Sequence, residues 1–188
     1  MPLLLSIAKL LISPLFLFSL ALIIVISYVC RGGTNFLNIS KVFKDYFDVF
    51  RDAKSHVMIF WGVPVLLSAA TTQVVMIDRS LAETLIIFLS ILISAFFAML
   101  SILTDKQTNK ESSTLYTSVL KETSSTVLFE IVLCIIALLI SLCIIFLETV
   151  CPQIIILFLC SVDYYLVFVM IFNVLILVKR FKALIDNA

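Results

Sequence analysis

Few of the 188 residues could do chemistry in apolar surroundings, and three of those few stand inside long hydrophobic runs: Glu130, Asp163 and Asn173. An ionised carboxylate in hydrocarbon costs at least ~2.5–3.5 kcal/mol. Such residues therefore face a bundle interior, a partner or a water path. Tyr164 and Tyr165 follow Asp163 directly, and tyrosine favours the lipid–water boundary. Three readings of Asp163 follow: an outer-interface residue, a contact between helices or subunits, or a step on an ion or proton path. Asn173, three turns further along, is suited to a hydrogen bond across helices. Glu130 lies about one turn inside its run and reads as an acid at a helix start, with Lys121 also within reach. His56, the sole histidine, reads as an interface residue.

No further chemistry is encoded. There is no glycine-rich phosphate loop, HExxH, paired histidines or Ser/His/Asp set with a plausible site. Metal binding needs several converging ligands. The five cysteines (Cys30, Cys134, Cys143, Cys151 and Cys160) form no CxxC. Catalytic, cofactor-binding and metal-binding residues are therefore not expected, and the chain does not read as an enzyme. Cys134 and Cys143 read as small apolar fillers. Cys151 and Cys160 are either buried thiols or, in an oxidising compartment, a pair.

The elements that must position these residues are set by the apolar runs. The chain is 63% hydrophobic with a mean hydropathy of +1.24. A bilayer core of ~30 Å needs about 20 apolar residues as helix. Five candidate spans result, at 10–29, 57–77, 81–103, 127–147 and 154–178. The expected fold is all-α: one polytopic transmembrane bundle over 1–188, with five spans read and four possible. The open question is the first segment. It is too long for a signal-peptide core, and Tyr28-Val29-Cys30 is a poor cleavage site. Pro14 either kinks or begins it. With 3 Gly and 16 Phe, helix contacts must rest on large side chains rather than GxxxG packing.

The connections carry the charge. Eleven of the 13 basic residues lie between the first two spans, between the third and fourth, or after the last. Lys/Arg-rich connections stay in the cytoplasm. This places the N-terminus outside and the C-terminus inside. Residues 41–54 form an amphipathic helix, with Phe43, Tyr46, Phe47 and Phe50 on its apolar stripe. Ser40 is its expected N-cap. Lys41–Asp45 and Lys44–Asp48 sit at pairing distance, each pair worth about 0.2–0.5 kcal/mol. It reads as an interfacial helix, serving as a brace or as a docking surface or lever. Asp78-Arg79-Ser80 closes a tight hairpin of the second and third spans, and Pro64 should bend the second. The connection 104–126 reads as a polar cytoplasmic loop ending in a short amphipathic helix.

A sensor or anchor, a small pore and a transporter remain as function classes. A transporter expects broken spans and a polar midplane. A pore expects a polar helix face, which an oligomer would multiply. An anchor expects partner-ready charges on one side of an inert bundle. Lys106, Lys110 and Lys121 in the loop and Lys179, Arg180 and Lys182 in the tail are its candidate partner-binding residues. A net charge of +1 gives no reason to expect direct nucleic-acid binding.

The stretch Lys41-Val-Phe-Lys-Asp-Tyr-Phe-Asp-Val-Phe-Arg51, leading through His56 into Trp61-Gly-Val-Pro64, resembles the membrane subunit of the bacterial Kiwa anti-phage system. Chain length and paired apolar spans extend that resemblance over the whole chain in outline. It implies a homo-oligomer, with a tetramer as one size, in the inner membrane. It also implies a cytosolic DNA-binding effector as partner and a role in detecting infection at the envelope. That family is associated with four spans against five counted here, and no functional residue is carried over. The orientation yields a first expected outcome. Reporter fusions within 104–126 should be active only in their cytoplasmic form, and periplasmic activity there would invert the topology.

Overall fold

The computed structural model describes residues 39–49, 54–108, 114–149 and 151–186, with positions 16, 20 and 24 before them. The expected first span, 10–29, and Phe50 and Lys110 thus lie outside the described residues, apart from those three positions. Met1–Lys41 forms one unit, of which Phe16, Leu20, Ile24 and Ile39–Lys41 are described, all helical. Val42–Ala188 forms the other.

Every regular element among the described residues is a helix: α1 (Ile39–Val49), α2 (Lys54–Val74), α3 (Arg79–Thr108), α4 (Thr114–Leu147) and α5 (Gln153–Asp186). Arg79–Asp105, Thr117–Leu147 and Gln153–Lys182 are each long and apolar enough to cross a membrane, and Ile59–Val74 is a shorter apolar helix. The protein is a helical membrane bundle. Its outward faces carry Leu66, Ile87, Ile91, Phe158 and Leu175, all exposed, which suits lipid as the surrounding solvent.

α4 is the central helix. Half of its most apolar window is buried, against 11% for α3. Its buried residues Leu120, Thr123, Val127, Glu130, Cys134, Ala137, Ser141 and Ile144 recur every three or four positions. α3 presents Ala82, Leu89, Phe96 and Leu103, one every seventh residue. These are the seams of left-handed helix packing. α3 packs on α4, α4 on α5, and α5 on α2, while α2 and α3 share no comparable contact. The second and third spans thus join through a short connection but do not pair along their length.

That connection has a physical account. The expected span 57–77 leaves the helix after Val74. Ile77, 2% exposed, is tucked against Ala82, Ile144, Ile156, Cys160 and Tyr164. The Asp78 carboxylate accepts the Leu81 N–H at 2.9 Å, and its carbonyl accepts the Ala82 N–H at 2.9 Å. Asp78 is therefore the N-cap of α3.

Two other expectations are corrected. The polar loop 104–126 is largely helix: α3 runs to Thr108 and α4 starts at Thr114. The amphipathic segment merges with the fourth span because Leu120 and Thr123 continue α4's buried stripe. At ~1.5 Å per residue, the 34 residues of α4 and of α5 each reach about 51 Å, well past a ~30 Å core. Both helices project beyond it at the end carrying Lys121, Lys179 and Lys182. The interfacial helix is described over Ile39–Val49, so Ser40 lies within it rather than before it. α2 continues through Pro64.

This packing predicts that Leu89→Ala, at a site with no exposure, lowers stability by about 2–5 kcal/mol. Ile87→Ala, two residues away and 64% exposed, should cost far less. Denaturant titration in mixed micelles followed by circular dichroism checks both.

A candidate functional site in the seam between α4 and α5

α4 and α5 run antiparallel, and their polar and sulfur-bearing side chains meet as rungs, the first exposed and the other three buried. Nearest the basic end, Arg180 Nη1 donates to Glu122 Oε2 at 3.3 Å. Next, Asn173 faces Glu130. Cys134 Sγ then lies 3.2 Å from Met170 Sδ. Last, Ser141 Oγ donates to Asp163 Oδ2 at 2.6 Å. Eleven residues from Glu130 to Ser141 match ten from Asn173 to Asp163, so one straight register accounts for all four contacts. The two carboxyl rungs stand about 16 Å apart along the helix.

Asp163 has no solvent exposure. It sits in the interior seam, ten residues past the start of α5, as the reading of a contact between helices expects. Of the tyrosines after it, Tyr164 is buried, and Tyr165 packs beside Trp61 at 6.4 Å between ring centroids. Asp163 Oδ1 has no hydrogen-bond partner.

Glu130 is likewise unexposed. It stands sixteen residues inside α4, too far along to act on that helix's N-terminus, and Lys121 is solvent-exposed. The helix-start reading is replaced by an interior one. Both Glu130 oxygens lack a hydrogen-bond partner, as does Asn173 Nδ2. The Asn173 amide faces the carboxyl without reaching bonding geometry.

Asn173 does have one partner. Tyr46, from α1, donates its hydroxyl to Asn173 Oδ1 at 2.8 Å. The Tyr46 ring lies flat on Phe129, with centroids 3.8 Å apart and an interplanar angle of 11°. Phe43 meets Phe129 edge-on at 5.0 Å, and Phe47 meets Trp61 at 5.3 Å. Aromatic pairs of this kind contribute about 0.5–1.5 kcal/mol each. Of the predicted apolar stripe, Tyr46 is fully buried, Phe43 is half-buried and Phe47 is 41% exposed. Burial, reinforced by the neighbouring Glu130, pushes the Tyr46 phenol above its ordinary range, so it stays a hydrogen-bond donor.

The expected partner-binding cations divide. Lys121, Lys179 and Lys182 are exposed. Arg180 is spent inside the chain on Glu122. Lys106 falls in the last turn of α3. Among the described residues no three His, Cys, Asp or Glu side chains cluster for a metal. Cys134, Cys143, Cys151 and Cys160 are free thiols.

Sequence reasoning missed Ser141, Glu122 and Phe129. Stepping 4, 3 and 4 from Glu130 reaches Cys134, Ala137 and Ser141, the positions a helix seam would present, so Ser141 was open to discovery. The seam predicts that Ser141→Ala, by removing the donor to Asp163, costs about 0.6–1.7 kcal/mol. A double-mutant cycle with Asp163→Asn should return a nonzero coupling energy in micelle unfolding. No family model matches the chain, and no match is found among curated proteins or solved structures.

Proposed function

We propose that this chain is a membrane-embedded sensor and anchor that regulates a cytosolic effector at the inner membrane, in defence against phage infection. One observation supports it above others. α1 is held through Tyr46 to the inside of the bundle, at the end where Lys121, Lys179 and Lys182 are exposed. A disturbance of the α4–α5 seam is thereby felt by a helix beside the basic surface. The projecting turns of α4 and α5 make that surface stiff, which favours recognition of an acidic patch on a partner. Resemblance to the Kiwa membrane subunit supplies the defence setting, the homo-oligomer and the DNA-binding partner.

A pore formed by the intramembrane polar residues draws less support. Asp163 and Asn173 are buried inside one chain, each with one oxygen bonded there, whereas a pore lining needs them on a free face.

Reversing the charges of Lys121, Lys179 and Lys182 together should abolish co-purification of a cytosolic effector with this chain. Membrane insertion should be unchanged. Undiminished co-purification would move the docking surface elsewhere.

A further inference from the structure

Glu130 is the one carboxyl among the described residues with both oxygens buried and unpartnered. Among the described residues its surroundings come from four helices. α5 offers the Asn173 amide and, two turns toward the basic end, Arg180, which is already held by Glu122. α1 offers the Tyr46 phenol, and α4 itself the Cys134 thiol. α2 brings Trp61 beside Tyr46. None of these supplies a free cation, and a bare carboxylate cannot stay in such a place.

A neutral carboxylic acid and a primary amide are complementary. The acid O–H donates to the amide oxygen, and an amide N–H donates to the acid carbonyl. The amide oxygen has a second lone pair, which already takes the Tyr46 hydroxyl. One proton on Glu130 therefore completes a network joining α4, α5 and α1. Without it the carboxylate needs water. The cover over the site is α1, whose Tyr46 and Phe43 lie on Phe129, the residue before Glu130.

We propose that Glu130 is a proton-binding site whose occupancy latches α1 to the bundle. Release breaks the Glu130 O–H bond. The proton passes to water at the α1 end, and the electron pair stays on the carboxylate. Docking of α1 takes up one proton, so it strengthens as pH falls and weakens as pH rises, about tenfold per pH unit across the transition. This holds whether or not an effector binds the basic surface.

Trp61 is the chain's only tryptophan and touches the α1 aromatics, so it reports on the latch. The full chain in phosphatidylcholine vesicles should show Trp61 emission moving to the red and becoming more accessible to a soluble quencher as pH rises. The change should follow a one-proton slope. Glu130→Gln should hold the low-pH spectrum throughout. Asp163→Asn and His56→Gln should leave the transition in place. A flat wild-type spectrum, a transition that survives in Glu130→Gln, or its loss in His56→Gln would overturn the proposal. If Glu130→Gln does not fold, infrared difference spectra in the Asp163→Asn background decide. The protonated-carboxyl band must disappear in step with the Trp61 shift, and its absence at low pH overturns the proposal.

Discussion

Polar groups sealed between two apolar helices must find one another, and the rest of this bundle depends on that constraint. Lipid is as apolar as leucine, so burial alone gives membrane helices little reason to choose one partner or one register. The α4–α5 seam has such a reason. Shifting α5 by one residue turns its faces by about 100° and separates Ser141 from Asp163, Glu130 from Asn173 and Glu122 from Arg180 together. An all-leucine seam would tolerate the slip. The seam's cost is the burial of two carboxyls, and its return is a single alignment.

The other helices take their positions from this pair. α3 lays its seven-residue stripe of Ala82, Leu89, Phe96 and Leu103 on α4. α2 packs on α5 with a modest buried face that includes Pro64, Ser68 and Thr72. The hydroxyls of Ser68 and Thr72 bond back to their own helix, to Val65 and Ser68 carbonyls. They therefore allow close approach without tying α2 to α5 by hydrogen bonds. α1 differs from α2 in that a hydrogen bond from Tyr46 to Asn173 and the stacking of its ring on Phe129 join it to the α4–α5 pair. An element attached through a polar contact in the seam is one whose position a chemical change there can shift.

Much of this was legible in the chain. Run length and composition identify a helical membrane protein, because backbone groups in hydrocarbon must be satisfied within each segment. The amphipathic pattern around Phe43, Tyr46 and Phe47 identifies α1. The polar connection was misread because 114–126 is polar by composition while Leu120, Thr123 and Val127 keep the seam's spacing. There, periodicity outweighs average polarity. Glu130 was misread because its distance from the apolar boundary suggested a helix start, whereas α4 begins sixteen residues earlier.

By itself the sequence determined the solvent of this protein and the helical state of its apolar runs, since those follow from local hydrophobicity and length. It also marked Glu130, Asp163 and Asn173 as residues that require an explanation. Only the tertiary structure decided who explains them. Ser141 lies 22 positions before Asp163, and Tyr46 lies 127 before Asn173. Such pairings are set by the register of separate helices, a property of their packing that no local window of sequence contains.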